Sequence, residues 1–202
     1  MQNTAHYPSL SGQGIFITGG ATGIGAAMVR AFYAQGARVA FADLNTIAAN
    51  ELVQELDNLP QFFHVDVTDT GALQQAIKQA HDRTAISVLV NNAANDMRHS
   101  PNDMSPQAWR DCMAINLDAA FFAAQASAPL MAAQGGGSII NFSSINALLG
   151  PKQMPGYVSA KAGLIGMTKA LARDYGPDLV RVNAILPGWV VTERQLQTWL
   201  TP

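Results

Sequence analysis

Apolar, β-branched runs alternate along the chain with longer stretches whose hydrophobic positions recur every three to four residues. The runs near 14–18, 37–43, 61–66, 86–91, 137–143 and 180–186 read as strands. The periodic stretches near 23–35, 45–57, 69–82, 105–134 and 155–175 read as helices, the fourth broken near Asn116. A repeating βα order predicts a parallel, doubly wound sheet covered by helices on both faces and joined by right-handed crossovers. Gly135-Gly136-Gly137 directly precedes a strong strand, so it reads as a helix-ending turn rather than a linker. No repeat or low-complexity stretch interrupts the pattern, and residues 1–202 are expected to form a single domain.

Composition agrees with that expectation. A chain of 202 residues, 49% hydrophobic and 13% charged, can bury a substantial core within single-domain size. A net charge of −2 and a pI near 6.0 leave no basic footprint for nucleic acid or a membrane surface. No stretch is apolar for long enough to span a bilayer, and Met1 to Gln13 is too polar for a signal peptide, so the expected compartment is the cytoplasm. Cys112 is the only cysteine, which excludes an internal disulfide and reads as a buried thiol inside a helix; no metal site is expected.

Chemistry enters at the first strand. Gly14-Ile15-Phe16-Ile17 runs into Thr18-Gly19-Gly20-Ala21-Thr22-Gly23-Ile24-Gly25, which opens a helical pattern through Ala26, Val29 and Phe32. A strand, a glycine turn and a helix in that order offer backbone N–H groups and a positive helix end to a pyrophosphate. Asp43 closes the second strand about twenty residues on, where a carboxylate can accept from an adenine-side ribose and repel a 2′-phosphate. No lysine or arginine follows in Leu44-Asn45-Thr46 or lies in the glycine turn, which favours NAD over NADP. Asp43 also reads as a helix cap, and the two roles are compatible.

A second constellation lies in Tyr157-Val158-Ser159-Ala160-Lys161, with Ser144 thirteen residues upstream. Helix positions i and i+4 share a face, so Lys161 can lie beside the Tyr157 phenol. Lowering a phenol by roughly 3 units from about 10 requires about 4 kcal/mol of differential stabilisation of its anion, which a cation and a hydroxyl donor could supply.

With these motifs in place, the sequence resembles the short-chain dehydrogenase/reductase family over almost its whole length. The match comprises the Thr18–Gly25 turn, Asp66 in Val65-Asp66-Val67, Asn91-Asn92-Ala93-Ala94, Asn116, Ser144, Tyr157, Lys161, and Pro187-Gly188 with Thr192; Ala94 departs mildly from the glycine usual there. The resemblance implies a Rossmann-like fold and assigns roles. Tyr157 is the general acid or base, and Ser144 holds the reacting oxygen. Lys161 depresses the Tyr157 pKa and meets the nicotinamide ribose, and Asn116 holds a water that links Lys161 to solvent. The cofactor contacts it implies are Gly19, Thr22, Gly23, Ile24 and Gly25 at the pyrophosphate, Asp43 and Leu44 at the ribose, and Asp66 and Val67 at adenine. Asn92, Ala93 and Ala94 would line the ribose region, and Pro187, Gly188, Val190 and Thr192 the carboxamide, with Tyr157 and Lys161 completing the set. Asp66 could instead cap the following helix, and Asn116 could simply break one.

The stretch Asn91 to His99 and the opening Tyr7 to Gly12 look similar to bacterial aldose 1-dehydrogenases, which implies oxidation of a sugar at C1 to a lactone. Asn95, Asn146, Gln153 and Trp189 are then candidate substrate contacts beside Ser144 and Tyr157. For Asp96, Arg98 and His99, sugar contact and a local salt-bridged loop both stand. A ketoreductase of the 3-oxoacyl type, or a cofactor-binding fragment without turnover, are the competing readings. The family implies a homodimer or homotetramer paired through the helices near 105–134 and 155–175. It also implies on the order of 50 further residues, one strand and helices. The sheet is therefore expected to lack its final strand, which would leave an edge prone to association.

Overall fold

The computed structural model describes residues 5–198. Six parallel strands form one sheet: β1 (Gly14–Thr18), β2 (Arg38–Asp43), β3 (Gln61–His64), β4 (Ile86–Asn91), β5 (Gly137–Phe142) and β6 (Val180–Ile185), in the order β3-β2-β1-β4-β5-β6. The helices are α1 (Gly23–Ala34), α2 (Thr46–Glu55), α3 (Thr70–Thr84), α4 (Pro106–Met113), α5 (Ala119–Ala133), α6 (Asn146–Leu149), α7 (Pro155–Tyr175) and α8 (Glu193–Thr198). Among the described residues β6 is an edge.

The central strand shows how the two faces are built. β1 is buried at all five positions, and its side chains alternate between two cores. Phe16 packs with Leu73, Ile77, Leu89, Met131, Ile139 and Leu171 under α3, α5 and α7. Ile15 and Ile17 join Val29, Val39, Phe41 and Leu52 under α1 and α2. Burying a large aliphatic or aromatic side chain contributes about 1.5–3 kcal/mol, so a polar substitution in β1 damages whichever core it faces.

Element ends are set by local hydrogen bonds that periodicity does not register. α2 starts where the Asn45 side chain accepts from Ala48 N at 3.1 Å, and it stops at Glu55, before Asp57 and Asn58 turn to positive φ. β3 ends at His64, two residues short of expectation, because Asp66 Oδ1 draws Thr68 N (2.9 Å) and Thr68 Oγ1 (2.7 Å) into a local turn. Asp69, not Asp66, caps α3, accepting from Ala72 N at 3.0 Å. The helix expected over 105–134 is α4 and α5 joined by a π-helical turn at Ala114–Asp118, so Asn116 bulges the helix rather than ending it. α6 is too short to carry a periodic signal, and the sequence did not predict it.

Candidate active site

The strand order reverses between β1 and β4, and at such a switch point a crevice opens beyond the carboxyl ends of the strands. A cavity of about 770 Å³ lies there. Every residue expected to meet the cofactor lines it, as do Ser144, Asn146 and Trp189. Asn116, Asn95 and Gln153 do not. Asp43 ends β2 and Ser144 follows β5, so these two groups stand three strand spacings apart, about 14 Å, at opposite sides of the switch.

The glycine turn is shaped by what lies against it. Gly19 and Gly20 donate to Ala42 O at 2.8 and 3.2 Å, which locks the turn onto the end of β2. A Cβ on Gly19 (φ +66°) would lie 2.9 Å from Ala93 Cα, and one on Gly25 would collide with Gly19 O. Asn92 completes the brace: its Nδ2 donates to Thr18 O (3.1 Å) and Gly19 O (2.9 Å), while Asn92 N and Ala93 N donate to Thr18 Oγ1 at 3.0 and 3.1 Å. Its side chain thus holds the turn, and it borders the cavity through that role. At the start of α1, Thr22 makes no side-chain cap bond and no acidic residue occupies the first turn, which leaves the helix's N–H groups for an anion. Asp43 is held by Ala21 N on Oδ2 and Asn45 N on Oδ1, both at 2.9 Å, which fixes the carboxylate at the cavity wall. These features fit a dinucleotide: an open cradle and helix end for its phosphates, and a fixed acceptor for a ribose.

The other end gathers the acid–base groups. Ser143 and Ser144 follow β5, and α7 carries Tyr157 and Lys161 back across it. Ser143 Oγ donates to Lys161 O at 2.7 Å, and Lys161 Nζ donates to Phe142 O at 2.8 Å, so strand end and helix are joined twice. Lys161 is 2% exposed, and burial brings its pKa down to about 8. Its ammonium lies 5.7 Å from the centre of the Tyr157 ring, over the ring face.

Tyr157 corrects one expectation. Its phenol is raised above the ordinary value, chiefly because burial penalises the anion; the hydrogen bond with Ser144 pulls the other way. Asp96 pushes it further up and Arg194 draws it down. Lys161, whose ammonium donates to the Phe142 carbonyl, does not reverse that direction.

Asn116, 2% exposed, reaches the loop after β4 through both ends of its amide. Oδ1 accepts from Asn95 N, and Nδ2 donates to Asn95 O and to Cys112 O, each at 3.0 Å. The π turn supplies the angle that lets it pair with a strand-like backbone. Asn95 was expected to touch substrate, but its backbone is tied to Asn116 and its Oδ1 accepts from Met97 N at 3.1 Å, outside the cavity. Gln153 was expected there too; it lies exposed at φ +63° with its carbonyl accepting from His99 N at 2.8 Å. His99 Nε2 meets Gly156 N at 3.3 Å, so this histidine braces the start of α7. Cys112 is half-buried in α4 with its thiol raised by burial, as expected for an unreactive cysteine.

Sequence reasoning missed Arg194 and Gln195, which α8 brings to the cavity. Arg194 Nη2 pairs with Asp96 Oδ1 at 2.5 Å, and Gln195 Nε2 donates to Asp96 Oδ2 at 3.2 Å. The partners lie nearly a hundred residues apart on elements without a periodic signal, so no local pattern could reveal the pair. Asp96 therefore pairs with α8 across the cavity.

A doubly wound sheet with a phosphate cradle at its switch point and a serine, tyrosine and lysine beyond it defines a dinucleotide-dependent oxidoreductase. The short chain dehydrogenase family profile matches residues 13–200. A protein named "Probable galactose dehydrogenase GalD" from Rhizobium meliloti (strain 1021) is 45% identical over 98% of this chain and 79% of its own length. D-xylose 1-dehydrogenase from Caulobacter vibrioides (strain NA1000 / CB15N) is 41% identical over 99% of this chain and 80% of its own. A crystal structure from Sinorhizobium meliloti 1021, provisionally described as a short-chain alcohol dehydrogenase, superimposes with a TM-score of 0.88 at 30% identity, covering 94% of this chain and 77% of that one. The chain belongs to the short-chain dehydrogenase family, and it is an oxidoreductase acting on CH–OH groups.

Proposed function

We propose that the protein is an NAD-dependent aldose 1-dehydrogenase that oxidises the anomeric hydroxyl of a neutral sugar to the lactone. The observation that carries this reading is the convergence of Ser144, Tyr157 and Lys161 at the end of the cavity opposite Asp43. The similarity to galactose and xylose dehydrogenases supports the substrate class. Bound NAD supplies the hydride acceptor. Tyr157 takes the hydroxyl proton, Ser144 holds the same oxygen as charge develops on it, and Lys161 places a buried positive charge beside them. Asn116 acts from behind, fixing the loop after β4 against the π turn. Trp189 offers a flat face to a pyranose ring, and Asn146, whose backbone N–H donates to Ser144 Oγ at 3.1 Å, offers a polar side chain close to the reacting oxygen.

Steady-state assays with galactose, xylose, arabinose, fucose and rhamnose should yield NADH and an aldonolactone from at least one sugar. Silence across that panel, with a keto ester reduced instead, would replace this reading with the ketoreductase.

Asp43 supports NAD over NADP, since its fixed carboxylate repels a 2′-phosphate and Leu44-Asn45-Thr46 supplies no cation. The wild type should favour NAD in kcat/KM by about tenfold or more, the scale of one unfavourable charge contact. Asp43→Ala with Leu44→Arg should narrow or reverse the ratio. Efficiency with both cofactors should also fall, because Ala21 N and Asn45 N lose their acceptor. Equal wild-type efficiency with NAD and NADP would overturn the assignment.

The same reading includes a single domain, a cytoplasmic location and a homodimer or homotetramer. Trp109 on α4 and Phe121 on α5, both left exposed, support pairing through those helices.

A further inference from the structure

We propose that His99 is a positioning residue for Tyr157: from the loop after β4 its ring caps the first turn of α7, and so holds the phenol beside Ser144 and the reacting oxygen. This rests on Tyr157 as the acid–base group and extends that reading to a residue to which the resemblance gave no part in the chemistry.

α7 begins without a cap of its own. Met154 stands at the N-cap position and makes no side-chain hydrogen bond, and Pro155, the first helical residue, has no N–H. Gly156 therefore carries the first N–H of the helix, one of those that no carbonyl within the helix can take. Gly156 is buried, and the partner of its N–H comes from 57 residues away: His99 Nε2, at 3.3 Å. A backbone N–H only donates, so Nε2 is the acceptor and the ring hydrogen sits on Nδ1. Nδ1 lies 3.3 Å from Met97 O, which only accepts, so each ring nitrogen meets the partner that this tautomer requires. The backbone adds a second tie, His99 N donating to Gln153 O at 2.8 Å.

The grip falls on the residue before Tyr157. A Cβ on Gly156 would lie 3.0 Å from Cys112 Sγ, 3.1 Å from Met104 Cε and 3.3 Å from His99 Nε2, so α4 and the segment before it close directly on this backbone. One turn further on, the bonds of Ser143 and Phe142 with Lys161 fasten α7 to β5. Tyr157 stands between the two fastenings. The loop that carries His99 is itself anchored at Asn95 by both ends of the Asn116 amide, so the hold on Gly156 starts from a fixed base. His99 does not line the cavity, and it therefore acts through α7 and not on the substrate. Without that acceptor the buried Gly156 N–H loses its bond and the first turn of α7 can fray, and a reacting group displaced by even an ångström reacts far more slowly.

The test compares His99→Gln with His99→Asn on whichever substrate, sugar or keto ester, is turned over best, so its outcome does not depend on the aldose reading. A Gln amide reaches the Nε2 position and keeps an acceptor on Gly156 N; the shorter Asn amide reaches only the Nδ1 position and does not. His99→Asn should lower kcat by about fivefold or more, the scale of one lost buried hydrogen bond, while the cofactor KM stays within about twofold of wild type. His99→Gln should keep kcat within about twofold of wild type. Amide hydrogen exchange at Gly156 gives a readout that needs no turnover: protection should be lost in His99→Asn and kept in His99→Gln. Equal kcat in the two variants, or unchanged Gly156 protection in His99→Asn, would overturn the proposal. Should Tyr157→Phe stay active, it is the acid–base assignment that fails, so the two failures are distinguishable.

Discussion

Tyr157→Phe should abolish turnover while leaving cofactor binding within about threefold of wild type, because the substitution removes one hydroxyl and preserves the ring that packs against Lys161. The expected loss in kcat is about 10²- to 10⁴-fold, the scale of a lost acid–base group. The pH profile gives an independent sign. Burial raises the phenol, so its basic form grows only as pH climbs through the alkaline range, and sugar oxidation by the wild type should rise from pH 7 toward 10. Whatever activity remains in Tyr157→Phe should lack that rise. Cofactor fluorescence quenching and steady-state rates at three pH values check both statements. Retention of more than a few per cent of activity with the rise intact would assign the base elsewhere.

Lys161→Met separates stability from catalysis. The ammonium is desolvated, with a folded pKa of about 8 against 10.5 in the unfolded chain. Below pH 8 both states carry the proton, and the folded state bears the full cost of burying the charge. Between pH 8 and 10.5 only the unfolded chain keeps it, so the Lys161 penalty is relieved and stability rises with pH across that window, by at most about 3 kcal/mol. Methionine removes the penalty at once. The unpaired Phe142 carbonyl takes back about 1 kcal/mol. At pH 7 the variant should be as stable as the wild type or more so, and urea unfolding should show that advantage shrinking above pH 8 and gone near 10.5. Turnover should fall by at least about 10²-fold, since no buried cation then stands beside the developing charge. A wild type more stable than Lys161→Met at every pH would show that Lys161 is chiefly structural.

These two outcomes bear on what kind of site this is. A tyrosine raised by burial and a lysine lowered by it are both costly in the folded chain, and each would be better solvated at the surface. Their retention at the end of β5 and the first turns of α7 places that cost where a reaction can use it. Hydrogen bonds around them hold three chain segments together: Ser143 to the Lys161 carbonyl, Asn92 to the glycine turn, and Asn116 to the loop after β4.

The order of strands and helices, the glycine turn, Asp43 and the Ser144, Tyr157 and Lys161 set were legible in the sequence, because each rests on local spacing. A period of two or of three to four fixes an element, and residues four apart on a helix share a face whatever surrounds them. What the neighbours do to those residues is not local. That burial raises Tyr157 with Lys161 beside it, that Asn92 braces the turn, that Asn116 makes a π bulge instead of a break, and that Asn95 and Gln153 lie outside the cavity lining all depend on which backbone groups arrive from other elements. The pairing of Asp96 with Arg194 and Gln195 is the extreme case. It joins a loop and a six-residue helix with no periodicity of their own, and only the closing of the sheet at its switch point brings them to one cavity.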